Sequence, residues 1–151
     1  MVHDLNLVRG LLGEPSLQAA RVGEWGVSIL LRFRGVAGAM HWVNLTDGVA
    51  RYRQEFTFFN PRRRASLVFP SPFLRSAPTQ LVLEGGTAGT PDAWRTVETV
   101  SFEEAFKREL VHFHACVTEG KEPRTTAAEA TADVALCQAV IAAHQTGQAT
   151  A

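Results

Sequence analysis

Four runs of residues 26–73 decide how this chain is read: GVSILLRFRG (26–35), VAGAMHWVNLTDG (36–48), VARYRQEFTFFNP (49–61) and RRRASLVFPSPF (62–73). Each is short and rich in Val, Ile, Leu, Phe, Tyr and Trp. The first three close on Arg34-Gly35, Asp47-Gly48 and Asn60-Pro61, residue types that set up tight reversals. Runs of this length and composition, broken at such regular intervals, predict consecutive antiparallel strands. In residues 27–33, Val27, Ile29, Leu31 and Phe33 alternate with Ser28, Leu30 and Arg32. Further on, both faces carry large apolar groups: Met40 and Trp42 against Val43 and Leu45, then Phe56 and Phe58 against Thr57 and Phe59. A sheet with one wet face alternates more cleanly, so both faces are expected to be covered over part of their width.

Outside this meander the chain supplies helices at both ends. Leu5, Val8, Leu11 and Leu12 recur at helical spacing, Asp4 sits in the first turn, and Gly13 with Pro15 marks the stop. This predicts a helix over 3–12. Because it opens almost at the first residue, a preceding segment is expected. Strands over 17–25, 79–84 and 94–100 extend the sheet, with three prolines at 70, 72 and 78 breaking it between. A capping box, Ser101-Phe102-Glu103-Glu104, then opens a helix over 102–119. Its stripe Phe102, Phe106, Leu110, Phe113 and Val117 is expected to be buried, and Gly120 ends it. A second box, Thr126-Ala127-Ala128-Glu129, opens a helix over 126–146, with Ala130, Val134, Cys137, Val140 and Ile141 as its expected buried face. The tail from Gln145 should fray. The fold class is therefore α+β: a single domain over 1–151 with an open, mostly antiparallel sheet of six or seven strands spanning 17–100, and helices packed on one face.

Composition bounds the function. At 151 residues, one domain can bury about 68–70% of its unfolded surface. Hydrophobic residues make up 46% and charged residues 20%, as in an ordinary globular protein. Fifteen Lys and Arg balance fifteen Asp and Glu, so nothing points to nucleic acid or to a membrane surface. No apolar run reaches the roughly 20 residues of a bilayer span, and the start MVHDLNL lacks a secretory signal. Two cysteines form no disulfide framework, which fits a reducing cytoplasm. Without export, the sequon Asn44-Leu45-Thr46 is idle.

Chemistry-bearing patterns are few. His112, His114 and Cys116 would share one face of a strand, but on a helix only His112 and Cys116 do. Two ligands do not close a zinc site, and no metal is expected. Cys116 and Cys137 read as small buried hydrophobes. Arg62, Arg63 and Arg64 read as a solvated hairpin tip. Trp42, Tyr52 and Phe56 could line a pocket but read as core or interface. Gly85-Gly86 and Gly89 lie between antiparallel strands, away from any helix N-terminus, so this chain has no dinucleotide fingerprint.

HDLNLVRGLLGEP (3–15), FRGVAGAMHWVNLTD (33–47) and above all SFEEAFKRELVHFHACVTEGKEPRTTAAEATADVALCQAVIAA (101–143) together resemble the C-terminal domain of the Gfo/Idh/MocA oxidoreductases, the family of glucose–fructose oxidoreductase and inositol dehydrogenase. The resemblance covers essentially the whole chain and is most specific in its last third. It implies an open antiparallel sheet with helices on one face, supplying substrate contacts and the oligomer interface. NAD or NADP would be held by a separate Rossmann domain, in cis or in trans; this chain carries no cofactor site of its own. The histidine of the family's Asp-x-x-x-His pair falls on His3, the aspartate would lie before Met1, and a second family aspartate is replaced by Asn6. His3 is the single implied catalytic residue, a general base active only with a cofactor domain. Taken without the resemblance, His3 is a terminal histidine with no function. Acting alone, the chain is expected to be inactive, and to form a homodimer or higher oligomer through the sheet face away from its last two helices. The alternatives are a non-catalytic scaffold and one half of a split dehydrogenase.

Overall fold

A computed structural model describes residues 1–44, 52–87 and 89–147. Its order is α1 (Val2–Leu12), β1 (Ser16–Gly23), β2 (Gly26–Phe33), β3 (Val36–Val43), β4 (Gln54–Phe59), β5 (Arg63–Phe69), β6 (Thr79–Gly86), β7 (Ala93–Ser101), α2 (Ala105–Glu119) and α3 (Ala127–Thr146). The α+β class and the antiparallel pairing are as expected. The single sheet is not: the strands form a three-stranded sheet, β1-β2-β3, and a four-stranded sheet, β4-β5-β6-β7. Arg34-Gly35 makes the two-residue reversal that a tight hairpin needs, with Gly35 at φ 75°. β3 and β4 are separated by residues 44–53, and neither strand pairs with the other. The stretch 45–51, including Asp47-Gly48 and the sequon's Leu45 and Thr46, lies outside the described residues. Among the described residues no helix is long and apolar enough to cross a membrane.

The chain divides into two compact units, Met1–Val49 with Arg124–Ala151, and Ala50–Pro123. In the first, the alternation of β2 is realised as read: Ile29, Leu31 and Phe33 are buried, while Ser28, Leu30 and Arg32 are exposed. Register places Met40 opposite Ile29 and Trp42 opposite Val27, so their face continues into β3. Gly26 is needed at the sheet's end, because a Cβ there would collide with the Trp42 carbonyl oxygen. Helix α3 packs on β1, and α1 packs on α3. At the far end of α3, His144 Nδ1 accepts from the Val22 backbone N–H at 3.3 Å.

The α3 capping box forms as read, each of Thr126 and Glu129 bonding the other's backbone N–H. Its buried face is shifted from expectation. Asp133, Val140 and Ala143 are buried and Leu136, Cys137 and His144 half-buried, whereas Ala130, Val134 and Ile141 are exposed. A polar residue sets this face: α3 turns to bring Asp133 inward, and Val134 and Ile141, about 100° further round, turn out with it.

In the second unit, Phe56 packs edge-on to Phe69 with centroids 6.0 Å apart. Phe56, Leu67 and Leu81 share one face by register, while Thr57, Ser66 and Val82 share the other. The first capping box does not form. Ser101 is the last residue of β7, paired with Thr79, and its Oγ accepts from the Glu103 N–H at 3.0 Å. The helix therefore starts at Ala105, with Glu104 as an N-cap that makes no side-chain bond. The expected burial of the α2 stripe is also corrected. Phe102, Phe106, Leu110, Phe113 and Val117 are all exposed, and the partly shielded side is His112, Ala115 and Cys116.

Candidate functional site

Helix α1 turns Leu5 and Val8 into the core of the first unit, as its apolar spacing requires. Arg9 lies on the same side, and it too is buried. A buried guanidinium must be paired and hydrogen-bonded. Its partner is Asp133, 1% exposed, which accepts from Arg9 Nη1. The same Nη1 donates to the Glu129 carbonyl at 3.1 Å, and Arg9 Nε donates to Glu14 Oε2 at 3.0 Å. The second Asp133 oxygen accepts from Asn6 Nδ2 at 2.7 Å, and Asn6 Oδ1 accepts from Thr125 Oγ1 at 3.3 Å. Arg9 and Asn6 of α1 thus both bond Asp133 of α3, with Glu14 and Thr125 bonding them from just outside the two helices.

The electrostatics follow from these bonds. Hydrogen bonds to Glu14 and Asp133 push the Arg9 guanidinium further up, so it is fixed as a cation. The hydrogen bond from Arg9 holds the Glu14 carboxyl below its ordinary range. The cluster's chemistry is positional: it clamps α1 onto α3.

His3 sits in the first turn of the clamped helix and is exposed. Beside it, Asp4 Oδ2 accepts from Trp42 Nε1 at 2.8 Å, which ties that turn to β3. An external group can therefore reach the His3 imidazole on a helix that is held at both ends. The residues that do the holding (Arg9, Glu14, Thr125 and Asp133) are absent from the sequence reading. One signal was available: an arginine among Leu5, Val8 and Leu12 on the apolar side of a short helix needs a buried anion.

The remaining candidates fall elsewhere. His112 and Cys116 do share a face, Nε2 to Sγ at 3.6 Å, and no group of three or more potential metal ligands occurs among the described residues. Burial pushes the Cys137 thiol up. Arg62 and Arg63 give their backbone N–H groups to Asn60 Oδ1 at the β4–β5 turn, and Arg64 pairs with Glu84. Tyr52 donates to Gln54 at 2.9 Å, and Phe56 belongs to the core.

Gly85 and Gly86 close the β6–β7 hairpin. A Cβ on Gly85 would lie 2.6 Å from the Trp94 ring, and one on Gly86 would lie 2.6 Å from the Asp92 carbonyl oxygen. These glycines admit a neighbouring strand, and they open no helix on which a pyrophosphate could sit, so a dinucleotide does not fit them. Compared with protein-family models, with curated proteins and with solved structures, the chain matches none of them.

Proposed function

We propose that this chain is the substrate-binding and oligomerisation half of a Gfo/Idh/MocA-type, NAD(P)-dependent oxidoreductase acting on a sugar or polyol, located in the cytoplasm and inactive by itself. One observation carries the reading. The opening stretch 3–15 and the end of the stretch 101–143, which bear the resemblance, meet in one unit through Arg9, Asn6 and Asp133. That contact leaves His3 exposed at the start of a fixed helix, where a general base for hydroxyl oxidation would have to be reachable. The cofactor and the hydride acceptor belong to a Rossmann domain in cis or in trans. Within this chain the residues orient: Asp133 and Arg9 set the helix, and His3 takes the hydroxyl proton. Association through a sheet face is supported by Leu30 and Val43 on the three-stranded sheet and, separately, by Phe59 and Val97 on the four-stranded one, all exposed.

The test has two arms. NADH titrated into the isolated chain should show no saturable binding at micromolar concentration. Joined to a Rossmann domain that turns over a polyol, His3→Ala should lower turnover roughly 10²–10⁴-fold, with helix content unchanged. An unaltered rate would remove His3 from the chemistry. Asn6 favours the scaffold reading as a second possibility, since both ends of its amide are occupied by Asp133 and Thr125 where the family's aspartate would act. Failure of every Rossmann partner to confer turnover would decide for that alternative.

A further inference from the structure

Helix α2 is built as an amphipathic helix and stands inside out. Phe106, Leu110, Phe113 and Val117 follow a 4-3-4 spacing on one stripe, 49–68% exposed, while the shielded side carries His112, Ala115 and Cys116. The stripe does not end with the helix. Phe73 lies against Phe106, ring centroids 5.5 Å apart, and Phe73 is 81% and Leu74 59% exposed. Half to four-fifths of each of these six side chains leaves on the order of 700 Å² of contiguous apolar surface. Monomers rarely expose more than about 300–600 Å² in one patch. A stable interface needs roughly 800 Å² from each partner.

We propose that the occupant of this patch is the same patch on a second copy of the chain, the two α2 helices lying antiparallel across a two-fold axis. This goes beyond the sheet-face association proposed above and uses a different surface. The stripe is its own complement. A 4-3-4 spacing reads the same in both directions, so an axis midway between Leu110 and Phe113 sets Leu110 of each copy against Phe113 of the other. Phe106 then falls against Val117. This is the seam by which helices interlock at a 3.5-residue repeat. The opposed direction also brings the positive N-terminal end of each helix beside the negative C-terminal end of its partner. Only neutral or singly charged residues flank the seam: Lys107 and His114 on one side, Glu109 and Cys116 on the other. No like-charged pair is forced together.

Light scattering on the full chain carrying Leu30→Glu and Phe59→Glu, which place a charge on the exposed face of each sheet, isolates the α2 step. The expected species at micromolar concentration is a dimer of 16.5 kDa chains. Leu110→Glu or Phe113→Lys, added singly, should each weaken it at least about a hundredfold, since each change places two charges in the seam. Mixing those two variants should restore the dimer. The introduced carboxylate of one copy then faces the introduced ammonium of the other on one side of the axis, and the unaltered Phe113 and Leu110 face each other on the opposite side. Both substitutions fall at exposed helical positions, and circular dichroism of each variant checks that the fold is kept. A monomer before any α2 substitution, a dimer indifferent to Leu110→Glu, or a mixture that stays monomeric would each overturn the proposal.

Discussion

The two compact units differ in how they meet the demands of their side chains. Among the described residues, nine of the eleven buried hydrophobic positions lie in the first unit, and only Phe56 and Val82 lie in the second. The first unit is also where burial has been extended to charge, through Arg9 and Asp133. The second leaves Phe59, Phe73, Phe106 and Phe113 in contact with solvent. A self-sufficient unit satisfies its apolar and polar groups internally. A unit with only two buried hydrophobic residues and a row of exposed aromatic ones is shaped for contact with something else.

The strongest way to break this contrast is at Asp133. Asp133→Ala leaves the buried Arg9 guanidinium with only the exposed Glu14 carboxylate as counter-charge, and frees Asn6 Nδ2 of its acceptor; it should cost about 3 kcal/mol in urea denaturation. Amide exchange should speed up in α1, α3 and β1 while β5 and β6 keep their protection. Equal losses in both units would mean that they do not respond separately. A smaller effect sharpens the contrast at the helix starts. Thr126→Ala removes a formed cap and should cost about 1 kcal/mol, within roughly 0.5–2. Ser101→Ala, whose hydroxyl caps no helix, should cost under about 0.5 kcal/mol. If the two proved equal, the first capping box would have to exist in solution.

The smallest effect is one of pH. The Glu14 carboxyl is held below its unfolded value by Arg9. Its contribution is therefore fully present above the unfolded carboxylate value and is lost as pH falls through the folded one. Glu14 is 74% exposed, so the loss should stay under about 0.5 kcal/mol. Glu14→Gln should flatten the acid limb of the stability curve by that amount. An acid limb unchanged by the substitution would remove Glu14 from the Arg9 cluster in solution.

The strands were legible because period-two alternation and tight reversals are local properties. Residues 26–43 fold with the faces their pattern dictates, and the Thr126 box works because cap and helix are neighbours in sequence. What could not be read depends on distant partners. Asp133 has the composition of a solvated helix residue until Arg9, 124 positions away, is placed beside it. With that pair in place the face of α3 shifts: Val140 and Cys137 stay on its inner side as expected, while Ala130, Val134 and Ile141 turn out. Ser101 had two local uses, strand end and helix cap, and the pairing with Thr79 took it. The division into two sheets was not legible either: the Asp47-Gly48 turn signature lies between β3 and β4, which belong to different sheets. At the candidate site, His3 is a candidate only through resemblance; of the residues that hold its helix, Arg9 gives a local signal as a charge among Leu5, Val8 and Leu12, while its anion 124 positions away gives none.

The Arg9–Asp133 contact also sets an order of events in time. The second unit is continuous from residue 50 to residue 123, while the first draws on both flanks of it. On the ribosome α3 emerges after every strand, so Ile29, Leu31 and Phe33 are synthesised long before the helix that covers them. Every residue of the second unit is thus synthesised while the first still lacks α3. Contacts of such long sequence separation are slow to close. During that wait the three-stranded sheet lacks the helix that packs on β1, and apolar strands left uncovered in this way are open to mispairing.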